Sequence, residues 1–441
     1  MCQSVLFICP TNAAAMRQPL ASGALLAMAV SVVHDPLLVS CCLSILAASW
    51  TYHFISYVGS VFVARGQSGK DLLKPHMPIL PESQGVVAGA VYFAIMFLFI
   101  PVPFMQWFEW GSIEHGGGVP AFPHERMGQF LSGLLALLSM LFLGFADDVL
   151  DIRWRIKLWF PLFASIPLLT VYYVTYGVTH IKVPLVLRGI VGTDLVDLGV
   201  VYYVYMSLFC VFCTNGVNIL AGINGVEGGQ SLILSLSIVF NDLYQIYTSN
   251  NRPTIEAHLL SLFFILPFIG VTVGYLFQNW YPAKVFGGDT YAYFAGMTFA
   301  VVGILGHFSQ TVLLLHLPQI FNFAYSCPQV LGFVECPRHR MPILNKQTLK
   351  LEPSRVKLDK TSALGKTMIR ILELLYLVDV RRDSKTNEMI ECNNLTLINL
   401  VIVKLGPSKE WVVTLAIMGL QVLGTLIAVT IRYGLVHVVY N

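Results

Sequence analysis

Residues 127–157 read MGQFLSGLLALLSMLFLGFADDVLDIRWRIK, and their reading decides the fold. A predominantly apolar run, 127–146, leads into Asp147, Asp148 and Asp151 and then into Arg153, Arg155 and Lys157. A helix needs about 20 such residues to cross the hydrocarbon core of a bilayer. The stretch therefore predicts a membrane-crossing helix that ends in charge where lipid meets water.

The whole chain suits that solvent. Of 441 residues, 56% are hydrophobic and 12% charged, where soluble domains carry about 25% charged residues. That leaves too little polar surface for a water-facing globule. The net charge of +3 points to no nucleic-acid partner. The cysteines are odd in number and scattered, which argues against a disulfide framework. Cys210 and Cys213 form a C-x-x-C inside an apolar run, where they read as small buried hydrophobes, with a redox or metal role as the alternative.

Ten segments qualify as spans, near 36–64, 85–104, 127–146, 158–177, 198–219, 229–248, 257–277, 290–306, 307–326 and 411–437. The eighth and ninth adjoin at Gly306 and His307, which suggests a tight hairpin. The expected fold is an all-α polytopic membrane protein of about ten transmembrane helices. Residues 1–35 read as an extension outside the core, 36–326 as helices 1–9 with catalytic loops, and 411–441 as helix 10 and the C-terminus. Between them, 327–410 is a polar insertion carrying twelve of the 27 Lys and Arg residues between Arg338 and Lys385. It reads as a small mixed α/β unit, with VKLDK and NEMIECNNLTLINLVIV strand-prone and ALGKTMIRILELLYL helical.

Counting crossings puts 65–84, 147–157, 220–228, 278–289 and 327–410 on one side. Its short loops hold Arg65, Lys70, Lys74, Arg153, Arg155, Lys157 and Lys284, a modest basic excess that assigns this side to the cytosol. Four polar clusters fall there. In the first, a continued helix would put Asp147 and Asp151 on one face; acids at membrane depth usually mark function, though a charged helix end is the plainer reading. In the second, Asn215, Asn218 and Gly222 share helical spacing, and Asn oxygens suit Mg²⁺; interhelical amide bonding is the alternative. In the third, Asn279–Thr290, an aromatic and paired glycines precede Asp289, which suits either a ligand site or a helix N-terminus. In the fourth, Arg338, His339 and Arg340 suit phosphate oxygens, or simply flank a span with positive charge. Together they offer acids and amides for a metal, cations for phosphates, and an aromatic with glycines for a planar ring. That inventory suits metal-dependent chemistry on a nucleotide diphosphate.

At PESQGV (81–86), FLGFADDVL (142–150), FCTNGVNILAGINGVEGGQ (212–230), NWYP (279–282), YFAGMTFAVVGILGHFSQ (293–310), CPRHR (336–340) and ECNNLTLINL (391–400), the chain resembles the polyprenyl-phosphate N-acetylhexosamine-1-phosphate transferases of the eukaryotic type. The resemblance runs from about residue 36 to the C-terminus. It implies ten transmembrane helices, an endoplasmic-reticulum membrane, a cytosol-facing site, commonly a homodimer, and inhibition by tunicamycin. It implies transfer of N-acetylglucosamine-1-phosphate from UDP-GlcNAc to the membrane lipid dolichyl phosphate. By the same resemblance, Asn218 and Asp289 match Mg²⁺ ligands, Asp147 and Asp148 an essential acidic pair, and Lys157 a lysine facing the lipid phosphate. Leu72, Glu82, Gly222, Asn224 and Phe286 match the nucleotide pocket, and Arg338, His339 and Arg340 the loop reading the diphosphate and sugar. Trp154 is placed at the sugar. Two departures stand out: Asp151 occupies a variable position, and Gly287 replaces a larger apolar residue, which would loosen the uracil pocket. A bacterial-type member and a polytopic transporter are the rival expectations.

Overall fold

A computed structural model of the chain describes residues 35–105, 122–183, 185, 188, 192–337, 340–359 and 361–435, with Trp154 described by its backbone alone. The expectations for residues 1–34, for Arg338 and His339, and for the Trp154 side chain lie outside what is described.

The described chain is mainly helical. Helix α1 is Pro36–Ala64, α2 Gly85–Phe99 and α3 His124–Leu150. Then follow α4 Trp154–Lys157, α5 Phe160–Thr175, α6 Val200–Ile219, α7 Val226–Thr248, α8 Arg252–Asn279 and α9 Gly288–Leu305. Among the described residues, seven helical stretches are long and apolar enough to cross a membrane: Pro36–Ala64, Gly85–Phe104, His124–Leu150, Arg155–Thr175, Val200–Ile219, Arg252–Asn279 and Glu410–Leu435. Each coincides with a segment expected from the sequence. The other three expected segments are helical but different in kind. Helix α7 carries a polar face, with Gln230, Ser231, Ser235, Ser237, Asn241 and Asp242 buried against its neighbours. Helix α9 is wrapped by protein, buried without a break from Thr290 to Leu305. The stretch 307–326 is divided at His316 into α10, Ser309–Leu315, and α11, Leu317–Val330, with a turn at His307 (φ 59°) separating it from α9.

Helix α9 is the axis on which the site is built. A β-carbon at Gly296 would stand 2.3 Å from the Thr214 Cα on α6, and one at Gly144 2.8 Å from the Thr290 Cα. Hydrogen in place of a side chain thus lets α6 and α3 press directly on α9, as small residues do at interhelical contacts in membranes.

Beyond α11 the chain forms a small extramembrane-type unit. Strands β1 (Ile343–Asn345) and β2 (Lys350–Glu352) make a hairpin, and β3 (Arg355–Lys357), β4 (Val380–Arg382) and β5 (Met389–Asn393) an antiparallel sheet of order β3-β5-β4. Helix α12, Ala363–Leu374, begins at a Ser362 cap whose side chain accepts from the Gly365 N–H. The expectation of a strand throughout 387–403 is corrected after Asn393. Thr396 caps a helix, α13 (Leu397–Leu405), by accepting from the Asn399 N–H, and burial of Leu397–Ile402 overrides the β-branched preference. The last helix, α14, is Glu410–Thr430.

Candidate active site

Chain ends of several helices meet at one end of the bundle. The C-terminal ends of α3, α6 and α8 bring Asp147, Asp148, Asn218 and Asn279; the N-terminal ends of α7, α9 and α14 bring Glu227, Asp289 and Glu410. Short α4, ahead of α5, brings Lys157.

At the centre Asn218 Nδ2 donates to Asp289 Oδ1 at 3.1 Å. Lys157 Nζ donates to Asp289 Oδ2 at 2.8 Å and stands 2.8 Å from Asp147 Oδ2, close though not aligned for a hydrogen bond. One ammonium thus bridges two carboxylates separated by more than a hundred positions in sequence. Asp147 is almost fully buried and its other oxygen accepts the Ile152 N–H at 3.1 Å. Asp148 points elsewhere. Its carboxylate accepts the Asp289 N–H at 2.7 Å, the Thr290 N–H at 3.2 Å and the Thr290 hydroxyl. It therefore caps α9 from another helix, where anionic charge meets unpaired N–H groups and the positive end of the helix dipole. Asp151 is not on their face. The helix ends at Leu150, and Asp151 takes a left-handed conformation (φ 47°) as its exposed C-cap. Gly222 likewise leaves the face of Asn218, because α6 stops at Ile219; Gly222 sits in a turn at φ 130°.

Of the pocket residues, Glu82 and Phe286 come together. A β-carbon on Gly69 would touch Glu82 Oε2 at 3.2 Å and the Phe286 ring at 3.3 Å. Backbone pairing fixes their loops, with Phe286 N–H to Pro81 O at 2.9 Å and Gln84 N–H to Phe286 O at 3.0 Å. Burial chiefly, and the Asp289 carboxylate second, push the Glu82 carboxyl above its ordinary value. Gly287 does not loosen this wall. A β-carbon there would lie 2.6 Å from the Tyr275 hydroxyl and 2.7 Å from Glu227 Oε1, so the space is already filled. Glu227 accepts from that hydroxyl and from the Gly287 N–H at 3.3 Å.

Leu72 is half exposed on a turn in which Asp71 Oδ1 accepts the Leu73 N–H at 3.1 Å. Asn224 is buried and bonds Lys74, Asp71, the Ala283 N–H and Glu410. Arg340 is tied in through its carbonyl, which accepts from Asn399 Nδ2 at 2.7 Å, and Met341 lies against Gly222. The sequence reading gave no role to Glu227, Tyr275 or Glu410. Glu227 stood inside a quoted motif. Glu410 carried no signal beyond being an acid at a helix start, which is electrostatically ordinary.

Among the described residues no three His, Cys, Asp or Glu side chains gather to hold a metal. The expected pair is an amide and a carboxylate in direct contact. Rotating the Asn218 amide by half a turn brings its oxygen, in place of its nitrogen, beside Asp289. Mg²⁺ typically takes one or two carboxylates and completes its shell with substrate phosphates and water, so this donor set fits it.

Acids, an amide and a lysine thus gather at one end of a bundle with seven helical stretches apolar enough to cross a membrane, and the class of protein is that of the membrane-embedded transferases with which the chain compares. Residues 130–307 match the family model described as glycosyl transferase family 4, and residues 354–394 match that of the DPAGT1 insertion domain. The chain is 46% identical to the UDP-N-acetylglucosamine–dolichyl-phosphate N-acetylglucosaminephosphotransferase of Schizosaccharomyces pombe, over 94% of this chain and 96% of the relative. To the proteins of that name in Saccharomyces cerevisiae and Dictyostelium discoideum it is 42% and 36% identical, over 88% of this chain in each case and 89% and 86% of the relatives. The chain belongs to the UDP-N-acetylglucosamine–dolichyl-phosphate N-acetylglucosaminephosphotransferase family.

Proposed function

We propose that this protein transfers N-acetylglucosamine-1-phosphate from UDP-GlcNAc to dolichyl phosphate, releasing UMP and forming GlcNAc-diphospho-dolichol, the first lipid-linked intermediate of N-glycosylation. The single observation that carries the reading is the Asp147–Lys157–Asp289–Asn218 cluster, four residues from three distant parts of the chain linked in series at one end of the bundle. Relatives named for this reaction over most of the chain favour it over a bacterial-type enzyme and over a transporter.

An acceptor phosphate oxygen attacks the β-phosphorus and the bond to UMP breaks. The acceptor is a phosphate monoester with a second pKa of about 6, so near neutral pH it is already mostly dianionic and needs no general base. Lys157 would hold that phosphate once substrate displaces one of its carboxylate partners. Asp148 keeps the α9 N-terminus, and with it Asp289, aimed at the reacting groups. Mg²⁺, held by Asn218 and Asp289, would neutralise the diphosphate and stabilise the leaving phosphate. Glu82, Phe286, Leu72, Gly222 and Asn224 form the nucleotide pocket in this reading.

The same reading sets the site on the cytosolic face of the endoplasmic-reticulum membrane. Helices α7, α9 and the broken α10–α11 complete ten crossings; shielded by protein, they need no uniformly apolar surface. A homodimer is part of the proposal. The test is release of UMP from UDP-GlcNAc with dolichyl phosphate and Mg²⁺. Wild-type protein should turn over, and Asp289→Ala should lose at least about a hundredfold, since it removes both a metal ligand and a partner of Lys157. Absence of UMP from the wild type would defeat the reading.

A further inference from the structure

Away from the Lys157 cluster lies a second buried charge centre, built by the last membrane helix. Glu410, the first residue of α14, is 4% exposed. Its Oε1 accepts the Asn224 N–H at 2.8 Å, and its Oε2 pairs with Lys74. One turn on, the Thr414 hydroxyl donates to the Asn224 carbonyl at 2.8 Å. Helix α14 therefore grips both backbone polar groups of Asn224.

The Asn224 side chain is equally committed. Its Oδ1 accepts from Lys74 Nζ at 2.8 Å and from the Ala283 N–H at 3.0 Å, while Nδ2 donates to Asp71 Oδ2 at 3.3 Å. An Asn amide has two N–H donors, and Asp71 takes one of them. Lys74 is also 3.2 Å from Asp71 and 4.6 Å from the Tyr281 ring centre. Three loops, at 71–74, 222–226 and 281–283, are thereby locked through one buried lysine and one buried glutamate. Removing Glu410 leaves the lysine with Asp71 alone, and removing Lys74 leaves two buried carboxylates without their cation; either loss is unfavourable.

We propose that Glu410 and Lys74 are positioning residues for the donor nucleotide: through Asn224 and the Leu72 turn, they set the base pocket from the foot of the last membrane helix. The inference rests on the proposed transferase reading. It makes donor affinity depend on how α14, and the Ser408–Leu351 backbone pairing just before it, is seated.

Steady-state kinetics on the full-length protein in detergent test it, with wild type measured alongside. Glu410→Gln should raise KM for UDP-GlcNAc about tenfold, the loss of one charged hydrogen bond. Its kcat and its KM for dolichyl phosphate should stay within about twofold. Thr414→Val, which removes only the hydroxyl, should raise the donor KM by a smaller factor. Combining Glu410→Gln with Lys74→Met should cost less than the product of the single effects, because each single variant already breaks the Glu410–Lys74 pair they share. Equal losses for donor and acceptor in step with a lower melting temperature, or an unchanged donor KM in a folded Glu410→Gln, would overturn the proposal. Wild-type turnover separates that result from failure of the transferase reading itself.

Discussion

Asp147 and Asp148 are neighbours in sequence and opposites in role. Asp147 turns to Lys157, whereas Asp148 receives two backbone N–H groups and a hydroxyl at the start of α9. A carboxylate so engaged is an organiser, because a base would need a free oxygen facing substrate. Asp148→Asn should lower kcat about 10- to 100-fold, the worth of one or two charge-assisted hydrogen bonds, and leave the shape of the pH–rate profile intact. Loss of an alkaline-rising limb would instead mark Asp148 as a base. At this scale the sequence revealed identities but not partners. Acids and amides bordering apolar runs are costly and stand out, which is why Asp147, Asp148, Asn218 and Asp289 were legible. Their division of labour depends on partners elsewhere in the chain, 141 positions away for Asp148 and 71 for Asn218. Asn394-Leu395-Thr396 has the form of a glycosylation sequon, and the same limit holds there: the asparagine is 1% exposed and its Nδ2 donates to Ser354 Oγ at 2.9 Å, so the folded protein shields it.

Long apolar helices were legible because lipid exposure demands a continuous apolar surface. Elements shielded by protein escaped that demand, and there the pattern said less: α7 is polar on its buried face, 307–326 is broken at His316, and LINLVIV, expected as strand, is helical. Nor did composition reveal how helices meet. Gly270 and Gly274 on α8 face α1 so closely that β-carbons there would stand 2.1 Å from the Ser44 carbonyl oxygen and 2.4 Å from that of Ala48. Backbone cannot yield as a flexible side chain can. Gly270→Ala should therefore destabilise the protein by about 1–3 kcal/mol, read as a lower melting temperature in detergent. Gly419→Ala on α14, where a β-carbon would meet nothing within 4 Å, is the matched control and should melt as wild type.

For the whole molecule the decisive matter is sidedness. The helices ending beyond Asp147 and Asn218 are followed by α4, which ends in Lys157, and by α7, which starts beside Glu227, so alternation along the bundle delivers the described residues of these clusters to one end. The insertion attaches there too, since Met341 rests against Gly222 and Asn399 holds the Arg340 carbonyl. Basic loops at that end agree with the proposed cytosolic orientation under the positive-inside tendency, and that orientation can be read from a single thiol. Cys336 is exposed and lies in this insertion, whereas Cys210, Cys213 and Cys392 are buried. A variant keeping Cys336, with every other cysteine replaced by alanine, should react with a membrane-impermeant maleimide in sealed, cytosol-out microsomes before any detergent is added. Labelling that appears only after permeabilisation would put the insertion, the Lys157 cluster and the Glu410 grip in the lumen, where a cytosolic sugar nucleotide could not reach them.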